Sequence, residues 1–391
     1  PSADNDLVRR TVELGEAAGL EVLILPALYE LTSPHVGVAD VREVTMADLL
    51  GRHELDLDVP RIAHYLTGRR VLVTGAGGSI GSELCRQISW FSPATLVMLD
   101  RDESALHALQ LSLDDEARLD DERLVVADIR DPERIRGVFA DFRPEVVFHA
   151  AALKHVPLLE LHPAEALKTN VFGTRHVLDA AQASGVDRFI NVSTDKAADP
   201  VNVLGRTKLL AERMTAGVAH GADGTYLSVR FGNVLGSRGS VLSTFQHQLD
   251  RGGPITVTHP DVTRYFMTVE ESVQLVIQAG AIGEDGDVLV LDMGEPVRIA
   301  DVAQRMAESV EPPVPVEFTG LRPGEKLVEV LFGVGEEPKP TDHHLVHRVS
   351  GQPVNPFGLG QDWPYDDEAG EVLLAILWDL EQPDDERHAA R

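Results

Sequence analysis

Between residues 70 and 231 short runs of consecutive apolar residues recur at intervals: VLVTG (71–75), TLVMLD (95–100), LVVAD (124–128), VVFHAA (146–151), FINVS (189–193) and LSVRF (227–231). The stretches between them have helical length and period. Runs that are apolar throughout, rather than alternating with polar residues, predict strands covered on both faces. Strand and helix in regular alternation predict an α/β chain built on a doubly wound parallel sheet. After residue 232 the rhythm breaks. Loops rich in Gly, Ser, Arg and Pro are mixed there with helical segments such as VEESVQLVIQAG (269–280) and IADVAQRMAESV (299–310), which predicts a smaller mixed α/β lobe. At the ends, residues 7–25 predict one helix and a short buried strand, and EAGEVLLAILWDLEQ (368–382) predicts an amphipathic helix before an acidic tail. A lone helix and strand have no sheet of their own, so the opening segment reads as the tail of an upstream domain.

Composition narrows the function classes. With 35 Lys and Arg against 63 Asp and Glu, the net charge is −28. That balance argues against nucleic acid or an anionic membrane surface as partner, since both need clustered basic residues. The single cysteine, Cys85, cannot form an internal disulfide and reads as core packing in a reducing compartment. No apolar run approaches the ~20 residues that cross a bilayer, and no signal peptide is visible.

The candidate chemistry begins at TGAGGSIG (74–81), which follows the first strand and opens a helix. Gly75, Gly78 and Gly81 remove side chains where the turn is tight and where backbone approaches a phosphate. The N–H groups of Ser79, Ile80 and Gly81 then start a helix aimed at that phosphate. Asp100 ends the second strand, placed to accept the ribose hydroxyls of a dinucleotide, which favours NAD; Arg101 beside it could neutralise a 2′-phosphate, which leaves NADP open. Asp128 and Ile129, after the third strand, are candidates for the adenine side, Asp128 equally for a helix N-cap.

Together with Ala150, Ala151, Ala152, Asn170, Ser193 and Lys208, the glycine turn resembles the extended short-chain dehydrogenase/reductases, a Rossmann class. STDKA (193–197), KHVPLLE (154–160), NVLGRTK (202–208), RFGNVLGSRGSV (230–241), TRYFMT (263–268) and GLRPGEKL (320–327) resemble, in order, the polysaccharide-biosynthesis 4,6-dehydratases that act on UDP-N-acetylhexosamines. The resemblance implies catalytic water elimination, with UDP-N-acetylglucosamine as the expected substrate. It implies residues 53–232 as the NAD-binding domain, 233–350 as an interleaved substrate lobe and 351–391 as helix and tail. Residues 1–52 would be the remnant of an upstream nucleotide-binding-like domain, and MADLLGR (46–52) is similar to its closing segment in larger, membrane-anchored members. A homo-oligomer, cytoplasmic and held at the inner membrane only through a missing N-terminal region, is the corresponding expectation.

Oxidising C4, eliminating water across C5 and C6 and returning hydride to C6 needs a proton-handling group at each carbon. By the resemblance, Asp195 would protonate the C6 oxygen. Lys196 would take the C5 proton, provided its pKa is depressed; a solvated loop ion pair is the bland alternative. The tyrosine that this class places four residues before Lys208 is replaced by Leu204. We therefore expect Thr194, backed by Asp195 or an ordered water, to serve C4, with Lys208 holding the nicotinamide ribose.

For the substrate, Arg238, Arg264, Arg322 and Lys326 sit in Gly-rich segments and would face a diphosphate. The family segments imply Lys154, His155, Asn202, Asn233, Val234, Ser240, Val241 and Glu325 as further contacts, Lys154 also reaching the cofactor. His155 and His259 lack ligand-spaced partners, so no metal is expected. Two readings compete: a nucleotide-sugar epimerase, which needs no elimination acid, and a catalytically silent nucleotide-sensing domain.

Overall fold

The structure is a computed structural model that describes residues 57–114 and 120–354, with 5–18, 20, 22–24, 42–43, 55, 367 and 370. Six parallel strands form its frame: β1 (Arg70–Thr74), β2 (Thr95–Asp100), β3 (Leu124–Val126), β4 (Val146–His149), β5 (Arg188–Thr194) and β6 (Thr225–Phe231). They lie in the order 3-2-1-4-5-6, continued by β7 (Asp287–Leu291), then β9 (Val346–Ser350), then β8 (Lys339–Pro340). β7 runs parallel to β6, whereas β9 and β8 are antiparallel additions. All five side chains of β7 are buried, as an apolar strand inside a covered sheet should be.

Within 233–350, β7 and the two outer strands join the main sheet while other segments form the smaller lobe. A parallel strand beside β6 needs a crossover, and here the crossover carries the first part of the lobe, the remainder following β7, which is why the repeat looks broken in sequence.

Helices cover both faces. On one side α1 (Val59–Leu66), α2 (Ser79–Ser89), α3 (Glu103–Leu113) and α8 (Val269–Ile282) bury Leu66, Leu84, Cys85, Ile88, Leu106 and Leu275. On the other, α4 (Pro132–Phe142), α5 (Thr174–Ala183) and α6 (Val203–Ala219) bury Val138, Phe139, Val177, Leu178, Leu210 and Met214. Each such side chain contributes about 1.5–3 kcal/mol by leaving water, so the sheet is held from both faces. Cys85 is core packing, and burial raises its thiol pKa.

The helix predicted at 269–280 is α8, started by a full capping box between Thr268 and Glu271; it packs on the main sheet. The smaller lobe has its own core, Leu235, Phe245, Leu249, Ile255, Val257 and Phe266, closed by α7 (Val241–Asp250) and α9 (Ile299–Glu308). At the start of the chain a helix runs Asn5–Ala17, and Leu23–Ile24 pairs with Arg42–Glu43. The segment MADLLGR and the helix predicted at 368–382 lie outside the described residues, apart from position 370.

Candidate active site

The carboxyl ends of the six parallel strands converge on the turn between β1 and α2, where two adjoining cavities open. The larger, about 520 Å³, is walled by the glycine turn, the ends of β5 and β6, and the lobe loop from Asn233 to Leu242. The smaller, about 130 Å³, shares Gly75, Gly78, Ala150 and Ala152 with it and continues past Asp100, Arg101, Asp128, Ile129 and Ala151.

The turn is built on glycine for reasons that the coordinates make explicit. Gly75 has φ +72°, and a Cβ there would lie 2.7 Å from the Ala151 backbone. A Cβ at Gly81 would meet the Gly75 carbonyl at 2.0 Å, so α2 could not pack against the strand end. Gly78 starts α2 with no side-chain cap, so the first-turn N–H groups of the helix face the cavity as an anion site. The Asp100 Oδ2 accepts from Gly77 N at 2.9 Å and Oδ1 from Asp102 N at 3.0 Å, which aims the carboxylate at the smaller cavity. These residues fit a dinucleotide: a side-chain-free phosphate turn with a carboxylate one strand away.

Asp128 is not the N-cap of α4. Asp131 takes that place, accepting from Glu133 N and Arg134 N, and Arg130 grips both oxygens of Asp128 at 2.8–3.1 Å. The Asp128 pKa is lowered: burial opposes this, and the Arg130 guanidinium outweighs it.

Asn170 is another correction. Fully buried in a π-helical turn, Leu167–Gly173, its amide accepts from Leu153 N at 2.8 Å and donates to Leu153 O at 3.0 Å and Thr207 Oγ1 at 3.2 Å. Asn170 braces the loop after β4 and does not line either cavity. A wide turn beside a site of this kind is a recurrent device.

At the end of β5 the chain tightens into one 3₁₀ turn, Asp195–Ala197. Thr194 Oγ1 donates to Asp195 Oδ1 at 2.9 Å, and Lys196 Nζ donates to the same oxygen at 3.0 Å and to Asn233 Oδ1 at 3.2 Å. Thr194 and Lys196 are on the cavity wall; Asp195 is completely buried behind them. Its other oxygen, Oδ2, is buried without a hydrogen bond and faces Gly232, where a Cβ would stand 2.7 Å away. The ion pair of Asp195 and Lys196 is therefore interior, not a solvated loop pair.

The expected depression of the Lys196 pKa is also overturned. Burial does lower it, but Asp195 and a second carboxylate, Glu329, whose Oε1 lies 3.6 Å from Nζ, together raise it above the ordinary lysine value.

Leu204 and Lys208 share a face of α6, as their spacing requires, and both reach the cavity. Lys208 Nζ donates to Val192 O at 2.6 Å. Burial pulls its pKa down to about 8, against the pull of Glu212 one turn later. Ser193 is on the cavity wall, but its hydroxyl donates to buried Glu212, which also accepts from Arg230 at 2.7 Å and 3.2 Å.

The four cations expected around a diphosphate do not converge. Arg238 Nη2 donates to Gly77 O at 2.7 Å and its N–H to Ser79 Oγ at 3.0 Å, so the lobe loop is laced to the glycine turn. Arg264 is buried and paired with Glu325 at 3.3 Å. Lys326 donates to the carbonyls of Ala198 and Asp199 at 3.2 Å and 2.5 Å, and Arg322 is exposed. Asn202 caps α6 through Gly205 N and donates to Gly324 O at 2.8 Å. Asn202, Arg264 and Glu325 thus hold the 320–327 segment in place and are not on the cavity wall.

Lys154, His155, Asn233, Val234, Ser240 and Val241 do line the cavity. Lys154 reaches Ser237 Oγ at 3.5 Å, and burial and Arg238 lower its pKa. Among the described residues no group of His, Cys, Asp and Glu is arranged to hold a metal. Sequence reasoning missed Glu329, which carries no local signal, and Glu212, whose i+4 spacing from Lys208 could have revealed it.

A family described as "Polysaccharide biosynthesis protein" matches residues 71–351. The chain belongs to that family. It is 44% identical to the capsular polysaccharide biosynthesis protein CapD of Staphylococcus aureus over 81% of its own length and 54% of that protein. It is 33% identical to an inverting UDP-N-acetylglucosamine 4,6-dehydratase of Campylobacter jejuni, over 68% of this chain and 78% of that one. Among solved structures, Pen from Bacillus thuringiensis aligns with TM-score 0.66 and 30% identity over 80% of this chain and 99% of that one. The chain spans 54% and 59% of the length of CapD and of the probable polysaccharide biosynthesis protein EpsC of Bacillus subtilis. Among the described residues no helix is long and apolar enough to cross a membrane.

Proposed function

We propose that this chain dehydrates a UDP-N-acetylhexosamine, UDP-N-acetylglucosamine first among them, to the 4-keto-6-deoxy sugar, with NAD as cofactor. The observation that carries the reading is the row Thr194, Asp195, Lys196: a hydroxyl and an ammonium on the cavity wall, both bonded to one buried carboxylate oxygen. An elimination needs an acid and a base close together, and the named dehydratase among its relatives supports the same reading.

Residues 53–232 would hold the cofactor, with Gly75, Gly78 and the first turn of α2 at the diphosphate, Asp100 at the adenosine ribose and Lys208 at the nicotinamide ribose. NAD, when bound, supplies the hydride acceptor at C4 and the hydride donor at C6.

The chain's own residues handle the protons. Thr194 Oγ1 takes the C4 hydroxyl proton as its own proton passes to Asp195. That transfer cancels the Asp195 charge, the strongest influence raising the Lys196 pKa, so C4 oxidation loosens the ammonium proton, which Lys196 releases to water in the cavity before it takes the C5 proton as a neutral amine. Protonated Asp195 gives its proton through Thr194 Oγ1, which lies on the cavity wall, to the departing C6 oxygen; Lys196 returns the C5 proton as hydride reaches C6 and is reprotonated from water. The net change is loss of one water.

Incubation with UDP-N-acetylglucosamine and catalytic NAD tests this. A product lighter by one water supports it. Unchanged mass with altered stereochemistry would make the chain an epimerase, the activity named for a Rickettsia prowazekii relative at 33% identity, and absence of turnover would leave a sensing domain.

A further inference from the structure

We propose that Glu329 is the positioning residue for Lys196: its buried carboxylate is a second counter-ion, supplied by the lobe, that keeps the ammonium on the cavity wall once Asp195 has been protonated. The inference rests on the dehydratase reading for its catalytic meaning, but not for its test.

Glu329 is 3% exposed, and its Oε1 lies 3.6 Å from Lys196 Nζ. Its Oε2 is buried without a hydrogen-bond partner. A carboxylate in that setting is costly unless its charge is answered, and Lys196 is the cation that answers it. The placement is built: Thr263 N and Arg264 Nη1 both donate to Leu327 O, at 2.9 Å and 3.3 Å, and Val328 bridges to Thr263. The segment that delivers Glu329 is thus fixed to the lobe, while Lys196 belongs to the end of β5.

The charged groups facing Lys196 are Asp195, Glu329 and Arg264, the last opposing the two carboxylates. When Asp195 is neutral, Glu329 alone faces Arg264. Without Glu329 the lysine would lose its hold on both its proton and its place.

Competitive acetylation of the NAD-loaded protein across pH, read at the Lys196 peptide by mass spectrometry, reports the lysine directly and needs no turnover. In the wild type the midpoint is expected above the ordinary lysine value of about 10.4; a midpoint at or below it overturns the proposal without any variant. In Glu329→Gln the midpoint should fall by about one to three pH units, the usual effect of one opposite charge at this range. Glu329→Asp, which keeps the charge, should fall between. An unmoved midpoint in Glu329→Gln overturns the proposal. The pH profile of C5 hydrogen exchange in heavy water should shift to lower pH in the same variant, whereas a merely structural role would scale the profile down without moving it. If no dehydrated product forms with the wild type, the dehydratase reading fails while the acetylation result still decides the role of Glu329.

Discussion

Replacing Lys208 by Met should make the cofactor-free protein more stable at neutral pH and should lose that advantage as the pH rises. Lys208 is buried, its ammonium donates to Val192 O at 2.6 Å, and burial lowers its pKa from 10.5 to about 8. The unfolded chain therefore binds a proton at this residue more tightly than the fold does. Above about 10.5 the lysine is neutral in both states and costs nothing; below about 8 it is charged in both and the fold bears the full difference. A gap of about 2.5 pH units, at about 1.4 kcal/mol each, is a penalty of about 3 kcal/mol at pH 7. Methionine removes the penalty but forfeits the hydrogen bond to Val192, about 1 kcal/mol, for a net gain of about 2 kcal/mol. By pH 9.5 about half of the penalty or more has gone, so variant and wild type should be nearly equal. Urea unfolding at pH 7, 8.5 and 9.5, followed by far-UV circular dichroism, measures the difference. A difference that does not change with pH, or a variant less stable at pH 7, would refute the reasoning. Under the proposed function, in which the ammonium holds the nicotinamide ribose, activity should be lost throughout.

Three further outcomes are expected. Thr194→Ala should lose about a hundredfold or more in turnover, while the volume-conserving Leu204→Met should lose little; equal losses, measured by product formation, would rule out Thr194 as the group that serves C4. Asp195→Asn should fail before any hydride moves, because Thr194 donates to Asp195 Oδ1; nicotinamide reduction in a single turnover, followed by a stall with deuterium entering C5, would confine Asp195 to C6. Arg238→Ala removes the side-chain bond from the lobe loop to Gly77 O, leaving the backbone N–H bond to Ser79, and should weaken NAD binding by calorimetry in the absence of any sugar nucleotide; an unchanged affinity would mean that the loop opens when the cofactor enters.

What could be read from the sequence is what local pattern encodes. Each of the six early strands is a run of apolar residues, and each lies within two residues of its predicted place. The glycine turn was legible because sterics at Gly75 and Gly81 leave no other residue type. The row Thr194, Asp195, Lys196 was legible because its members are neighbours. Side-chain pairing between distant segments was not. Arg264 reads as a free cation until Glu325 is seen beside it, Asn202 and Asn170 read as ligand contacts until their amides are found bonded to the protein's own backbone, and nothing near Glu329 in the chain announces Lys196. The pKa of Lys196 went the wrong way for the same reason: burial was foreseeable, but the second carboxylate that outweighs it was not.

The two margins of the nine-stranded sheet have a bearing on how copies of this chain could meet. One margin is β8, only two exposed residues long, Lys339 and Pro340; the proline has no amide hydrogen to offer and the lysine brings charge. The opposite margin is β3, three residues long, too short to template a neighbour. Among the described residues neither margin offers another chain a long strand to extend. Among the described residues a second copy would meet helices and loops rather than a long strand to pair with, and the strand ends that carry Thr194, Asp195 and Lys196 lie at the middle of the sheet.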